Sequence, residues 1–293
     1  MKLVVRLPAL PDPDRLADWC HETAAIERVQ PWTVEKDFYL TRLIWALAQI
    51  HGADLLLKGG TCLYKVDLGY RRMSEDIDLT LPGQPSEYQS LNVGPINKVA
   101  SSLRELGAEV GVELVNFDGE RFERSSHAIW EARYRSAFLP HEKAVITVEA
   151  AIRPLHLEPR KERLRQLIPY ELAPGYEDAF SWALAFSEVR AEKVRAAFTR
   201  EEPAIRDFYD LGILLENHAD MGSPEFRVLV NNKLAEINTR PLEELPRSFG
   251  LTEHAQKLLV GATGTLESVL RFDEPKFELR AVIALYDELW GKG

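Results

Sequence analysis

The run KGGTCLYKVDLGYRRMSEDIDLTL, Lys58 to Leu81, sets a glycine pair and two acids at alternate positions within one short stretch of chain. Side chains alternate across a strand, so Asp76 and Asp78 fall on one face about 6–7 Å apart, while Glu75 points elsewhere. Holding two like charges together is costly unless a cation stands between them, and paired carboxylates suit Mg²⁺ and nucleotide phosphates. Gly59 and Gly60 follow the short apolar run DLLL, and TCLYKVDLG can open a helix after them. Such a strand-to-helix turn presents backbone N–H groups to phosphate oxygens, with the Thr61 hydroxyl beside them. Each half alone has an ordinary explanation, steric in the glycines and a solvated strand face in the acids. Their combination constrains the fold, because turn and acid-bearing strand must lie side by side.

The surrounding pattern is mixed. Asp12 before Pro13 predicts a cap and a helix from about Asp14, and TVEKDFYLTRLIWALAQIHG predicts a second helix ending at Gly52. DLLL and DIDLTL read as strands. Pro95, Ile96, Val99, Leu103 and Leu106 mark another helix, closed by Gly107. AEVGVELVNF, HAIWEARYRSAF and AVITVEAAI follow as strand-like runs, so this half is α+β with a mixed sheet rather than a strict βαβ repeat. From about Tyr176 the pattern is helical, with helices expected at 187–200 and after Pro203, Pro224, Thr252 and Glu274. The boundary is placed at APG, giving a core of residues 1–173 with N-terminal helices and a helical domain of residues 174–293.

Composition narrows the chemistry. Cys20 and Cys62 show no metal-ligand spacing and no disulfide framework, and the histidines form no HExxH or triad pattern. MKLVVRLPALPDPDR is too soon broken by prolines for a signal peptide and no apolar run approaches a membrane span, so a cytoplasmic protein without a membrane partner is expected. The net charge of −10 excludes a general positive field for nucleic acid but not a local basic groove. Arg71 and Arg72 form one basic cluster; Arg153, Arg160, Lys161, Arg163 and Arg165 form another, which reads equally as a solvated face. Glu149, within the apolar VITVEAAI, needs a partner: either an arginine such as Arg153, or metal ions shared with Asp76 and Asp78. Lys36 and Asp37 are read as an intrahelix or interdomain polar contact rather than as catalytic groups.

KGGTCLYK and YRRMSEDIDL, followed downstream by AEKVRAAFTR and IRDFYDL, resemble the nucleotidyltransferase toxins of the AbiEii/AbiGii type, which include the MenT toxins. The resemblance implies a DNA polymerase β-like nucleotidyltransferase core with a mainly helical C-terminal region. It implies that the turn Lys58, Gly59, Gly60 and Thr61 cradles the triphosphate, and that Ser74 and Asp76 serve nucleotide and metal, with Asp78 completing the motif. Lys193 falls on the motif's lysine and Asp207 on its downstream aspartate, with Arg206 and Asp210 in the same motif. Read from their helices alone, Lys193 is a surface lysine and Asp207 a favourable first-turn acid. The implied activity is transfer of a nucleoside monophosphate from an NTP, with two Mg²⁺ ions, to a hydroxyl at the tRNA 3′ end. Glu149 is then the residue that positions or deprotonates the acceptor, and Arg71, Arg72, Arg160, Lys161 and Arg163 are expected along the RNA. A cognate antitoxin is implied as partner. A protein hydroxyl or a small molecule such as an aminoglycoside stands as an alternative acceptor, and a non-catalytic nucleotide-binding module as an alternative role.

Overall fold

A computed structural model describes residues 4–84, 94–115, 126–200, 202–244, 247–261, 263–267, 269–271 and 277–290. Contacts divide the chain into two units: one extends to Leu184 and takes back Arg271, and the other holds Ala185 to Leu270 and the last helix.

In the first unit, helices α1 (Pro13–Glu27), α2 (Pro31–His51), α3 (Gly59–Cys62) and α4 (Gly94–Val110) accompany seven strands. These are β1 (Leu56–Lys58), β2 (Asp76–Pro82), β3 (Val112–Val115), β4 (His127–Tyr134), β5 (Val145–Arg153), β6 (Arg160–Arg163) and β7 (Phe180–Ala183). They form one mixed sheet in the order β3-β4-β5-β2-β1-β7-β6. β2 runs parallel to β5 and antiparallel to β1, which in turn runs parallel to β7. The strand period is visible in burial. Ile77, Leu79 and Leu81 of β2, Ile146, Val148, Ala150 and Ile152 of β5, and Ala128, Trp130, Ala132 and Tyr134 of β4 are buried. The alternate residues Asp76, Asp78, Thr147, Glu149, His127 and Glu131 are only half-buried.

The Asp12 side chain accepts from Arg15 N at 2.9 Å and caps α1, as Asp-Pro predicts. Gly107 does not close α4, which continues to Val110 before Gly111 turns with φ +88°. Gly107 has a packing reason instead: a Cβ there would stand 2.7 Å from the Val112 carbonyl oxygen. The helix has consumed the first residues of AEVGVELVNF, and only Val112–Val115 of that run is a described strand. β6 and β7 were legible neither as strands nor by alternation. Each is four residues long, and β6, at the sheet edge, carries only charged side chains.

α2 is buried on almost every side, yet three of its charged groups are buried with it, each with named partners. Arg42 donates to the carbonyls of Pro8 (2.8 Å), Glu109 (2.6 Å) and Val110 (3.1 Å) and meets the Tyr176 hydroxyl. Glu35 accepts from the Ser136 hydroxyl and from Ala137 N at 2.9 Å; burial pushes its carboxyl above the ordinary value, against the pull of those two donors. Asp37 is ion-paired with Lys65 and accepts from Tyr70 Oη and from Leu167 N at 2.9 Å. Asp37 therefore makes a polar contact, but with other elements of its own unit rather than within its helix or between domains. Burial lowers the Lys65 ammonium below the ordinary lysine value, and Asp37 offsets part of that.

The second unit contains α5 (Phe186–Thr199), α6 (Ile205–Asn217), α7 (Pro224–Ala235), α8 (Glu253–Gly261), α9 (Thr263–Glu267) and α10 (Leu279–Leu289). Phe198, Phe208, Phe249, Tyr286, Phe226 and Trp290 pack their rings through its core.

Removing one member of a buried pair strands the other charge. Lys65→Met is expected to cost about 3–5 kcal/mol in urea unfolding, while the Asp37→Leu/Lys65→Met double variant costs less than the sum of the two singles. Additive losses would show that the two groups do not act as a pair.

Candidate active site

The glycine turn follows β1 and opens α3, whose helix continues as a π-helical turn over Leu63–Asp67. Gly59 has φ +69°, and a Cβ on it would stand 2.1 Å from Asp78 Oδ2. Both backbone angle and space therefore require glycine, and the Asp78 carboxylate lies directly against the turn. Register explains why. Lys58 of β1 lies opposite Asp78 of β2, and Asp78 opposite Glu149 of β5, so three charged residues form a row across three neighbouring strands. Asp76 lies two residues earlier on the same face, opposite Thr147.

Glu149 Oε1 is 3.3 Å from His127 Nε2 and 3.9 Å from Lys58 Nζ. Neither contact is the arginine pair considered from sequence. His127, on β4, had no sequence signal beyond its place two residues before Ile129, which lies opposite Glu149. Thr61 is fully buried: its hydroxyl meets the Asp76 carbonyl and lies 2.6 Å from Ser74 Oγ. It ties turn to strand, leaving the half-buried Ser74 as the more accessible hydroxyl. Asp76, Asp78 and Glu149 are hard oxygen donors on one sheet face, a set that fits Mg²⁺. Among the described residues, no three acidic, histidine or cysteine side chains are already gathered into a metal cage.

The basic residues divide. Arg71 is exposed, but Arg72 is buried, with its guanidinium 4.9 Å from the Tyr64 ring. Arg160 is spent internally, 2.6 Å from Asp67 Oδ1 and 2.9 Å from the Leu184 carbonyl. Lys161 and Arg163 are exposed and lie over the Phe180 and Tyr170 rings, at 3.9 and 4.7 Å. Strand alternation on β6 separates the outward pair from Arg160.

In the second unit, Lys193 is buried rather than on the helix surface. Its ammonium lies 3.2 Å from Asp207 Oδ1 and 2.6 Å from Asp210 Oδ2, and Arg200 Nε lies 2.8 Å from Asp207 Oδ2. Two acids one turn apart on α6 thus clamp a lysine of α5. Lys233 forms a second buried node, 2.6 Å from Glu188, 3.0 Å from Glu236 and 3.4 Å from Glu192. Burial would lower its ammonium, but Glu192, Glu236 and Glu188 together hold it above the ordinary value. Glu192 adjoins Lys193, so Lys233 fixes the same stretch of α5 that presents that lysine. Nothing in the spacing of α7 announced it.

A family model described as "Nucleotidyl transferase AbiEii toxin, Type IV TA system" matches residues 42–282. Among solved structures, MenT4, a nucleotidyltransferase toxin from Mycobacterium tuberculosis H37Rv, is similar over 96% of this chain and 89% of its own, with 23% identity and a TM-score of 0.62. A GLD-2/RNP-8 complex aligns over 83% of this chain and 75% of its own at 14% identity, with a TM-score of only 0.28. A cyclic dinucleotide synthase, CdnE from Elizabethkingia meningoseptica, aligns over 96% of this chain and 98% of its own at 11% identity and a TM-score of 0.26. No curated protein sequence matches significantly. The likeness to MenT4 supports the α+β fold expected from the pattern of elements.

Gly59→Ala is expected to drive the Asp78 carboxylate off the turn and to strain the backbone, at about 1–3 kcal/mol of stability. Loss of activity should exceed what the fraction folded explains. A variant as stable and as active as wild type would show that the close approach has no consequence.

Proposed function

The chain belongs to the AbiEii family of nucleotidyltransferase toxins of type IV toxin–antitoxin systems, and we propose that it transfers a nucleoside monophosphate from an NTP to the 3′-terminal hydroxyl of tRNA. The observation that carries this is the row Lys58–Asp78–Glu149 beside Asp76 and the glycine turn, which sets carboxylates against a phosphate-receiving backbone. In the reaction the acceptor oxygen bonds to the α-phosphorus, the bond from that phosphorus to the bridging oxygen breaks, and pyrophosphate leaves. Asp76, Asp78 and Glu149 would hold Mg²⁺, which when bound supplies charge neutralisation for the polyphosphate.

Glu149 is the residue proposed to receive or direct the hydroxyl proton, with His127 Nε2 at 3.3 Å and Lys58 Nζ at 3.9 Å from its carboxylate. Ser74 donates to a phosphate oxygen, and Thr61 holds Ser74 and the start of β2 in place. The role the family motif implies for Lys193 is to serve the nucleotide's phosphates, and within its own unit Asp207 and Asp210 hold its ammonium. Arg71, Lys161 and Arg163 are exposed, and they are the members of the expected basic set that RNA phosphates would meet. Blocked tRNA would halt translation, and the antitoxin expected of the family would relieve that.

The test is incubation with each α-labelled NTP, Mg²⁺, total RNA and lysate protein. Label should enter tRNA-sized RNA from one or more nucleotides; label confined to protein or to small molecules would remove the tRNA reading. Asp76→Asn/Asp78→Asn should abolish labelling with the fold intact, and near-normal transfer would sink their assignment as metal ligands. For Lys193→Ala, KM for NTP should rise by about tenfold or more, with RNA affinity unchanged. Lost RNA affinity with unaltered nucleotide use would move Lys193 to the acceptor side.

A further inference from the structure

β4 begins at His127, and the backbone there is pinned to the neighbouring strand: Ile152 N of β5 donates to the Ser126 carbonyl at 2.8 Å, and His127 lies opposite Ala151. The residue opposite Glu149 is Ile129, so His127 meets Glu149 on the diagonal, a span that a long side chain crosses. Alternation puts both on the sheet face that carries Asp76 and Asp78. The contact runs from Nε2 of the ring to Oε1 of Glu149, the same oxygen that Lys58 Nζ approaches from β1. An ionised carboxylate only accepts, so Nε2 is the nitrogen that carries hydrogen here, and a neutral imidazole meets that requirement. The two side chains are 23% and 35% exposed. A carboxylate so placed keeps its contact with water, and a pair at that exposure adds little to stability, so the fold does not demand this partner.

We propose that His127 is a positioning residue for Glu149: an imidazole on a pinned strand end that fixes the direction of the carboxylate handling the acceptor hydroxyl. The inference deepens the nucleotidyltransfer reading and rests on it. A half-exposed glutamate turns about three side-chain torsions, whereas a group that must meet a reacting hydroxyl needs one direction. Lys58 supplies charge more than direction, because its ammonium is a point charge on a flexible four-carbon stem and stands at 3.9 Å. The ring has only two torsions, and its strand holds the first of them in place. Outer groups of this kind, which touch a working carboxylate rather than the substrate, govern its performance by about 10- to 100-fold when removed. His127 reaches the site through β4, a strand that carries none of the three acids.

The experiment compares His127→Phe, His127→Gln, Glu149→Gln and the double variant His127→Phe/Glu149→Gln, by urea unfolding and by kcat and KM for transfer from α-labelled NTP to total RNA. His127→Phe should unfold at the wild-type midpoint yet lose about 10- to 100-fold in kcat, with KM for NTP moving less. His127→Gln should recover most of that loss, because its amide carries an N–H at a similar reach. The double variant should be no slower than Glu149→Gln alone, since the ring acts through the carboxylate. A folded His127→Phe with wild-type kcat overturns the inference, and so do losses that multiply in the double variant. If His127→Phe does not fold, His127→Asn takes its place: its amide stops short of the Nε2 position, and wild-type kcat in that variant overturns the inference instead. Wild-type transfer by Glu149→Gln would mean that the reading of Glu149 itself fails; an impaired Glu149→Gln beside an unaltered His127→Phe sinks the role of His127 alone.

Discussion

The first unit is organised around a contact that only glycine permits, the Asp78 carboxylate against the Cα of Gly59. It fixes the distance between the end of β1 and the middle of β2, and the antiparallel register of those strands, Lys58 opposite Asp78, follows with it. β5 extends the row to Glu149, and Thr61 ties the first turn of α3 back to Asp76. Turn and acids are therefore one rigid object rather than two motifs that meet by chance, which is the condition for electrostatic preorganisation.

That object is held from the other side by polar groups buried on purpose. Asp37 of α2 binds the π-helical turn through Lys65 and the chain after β6 through Leu167 N, so the helix that carries the glycine turn is anchored at its far end. Arg42 gathers the N-terminal segment, the end of α4 and Tyr176 onto the same helix. Such groups add little net stability over an apolar core, but each is satisfied in only one arrangement. The second unit uses the same device: Asp207 and Asp210 clamp Lys193, and three glutamates surround Lys233.

Much of this could be read from residue order. Alternation at Asp76 and Asp78, the turn at Gly59, and helix α1 starting at an Asp-Pro cap all rest on local periodicity, which survives folding unchanged. What stayed hidden depends on partners distant in sequence. Lys193 reads as exposed because its own helix is charged; the acids that pair with it lie on α6. Arg72 and Arg71 are adjacent letters with opposite fates, because the turn after β1 takes one guanidinium and leaves the other outside. Gly107 looks like a helix end but is a contact with the strand that follows. His127 and Lys233 carry no spacing signal at all, since register and helix packing alone bring them to their carboxylates.

The central claim is that the glycine turn and the β2 carboxylates form one NTP site. The most direct measurement is a crystal structure with a non-hydrolysable NTP and Mg²⁺. The account predicts the β- and γ-phosphates on the N–H groups of Gly59, Gly60 and Thr61, with metal between those phosphates and Asp76 and Asp78. Triphosphate density elsewhere on the protein, with the turn and both aspartates untouched, would contradict it.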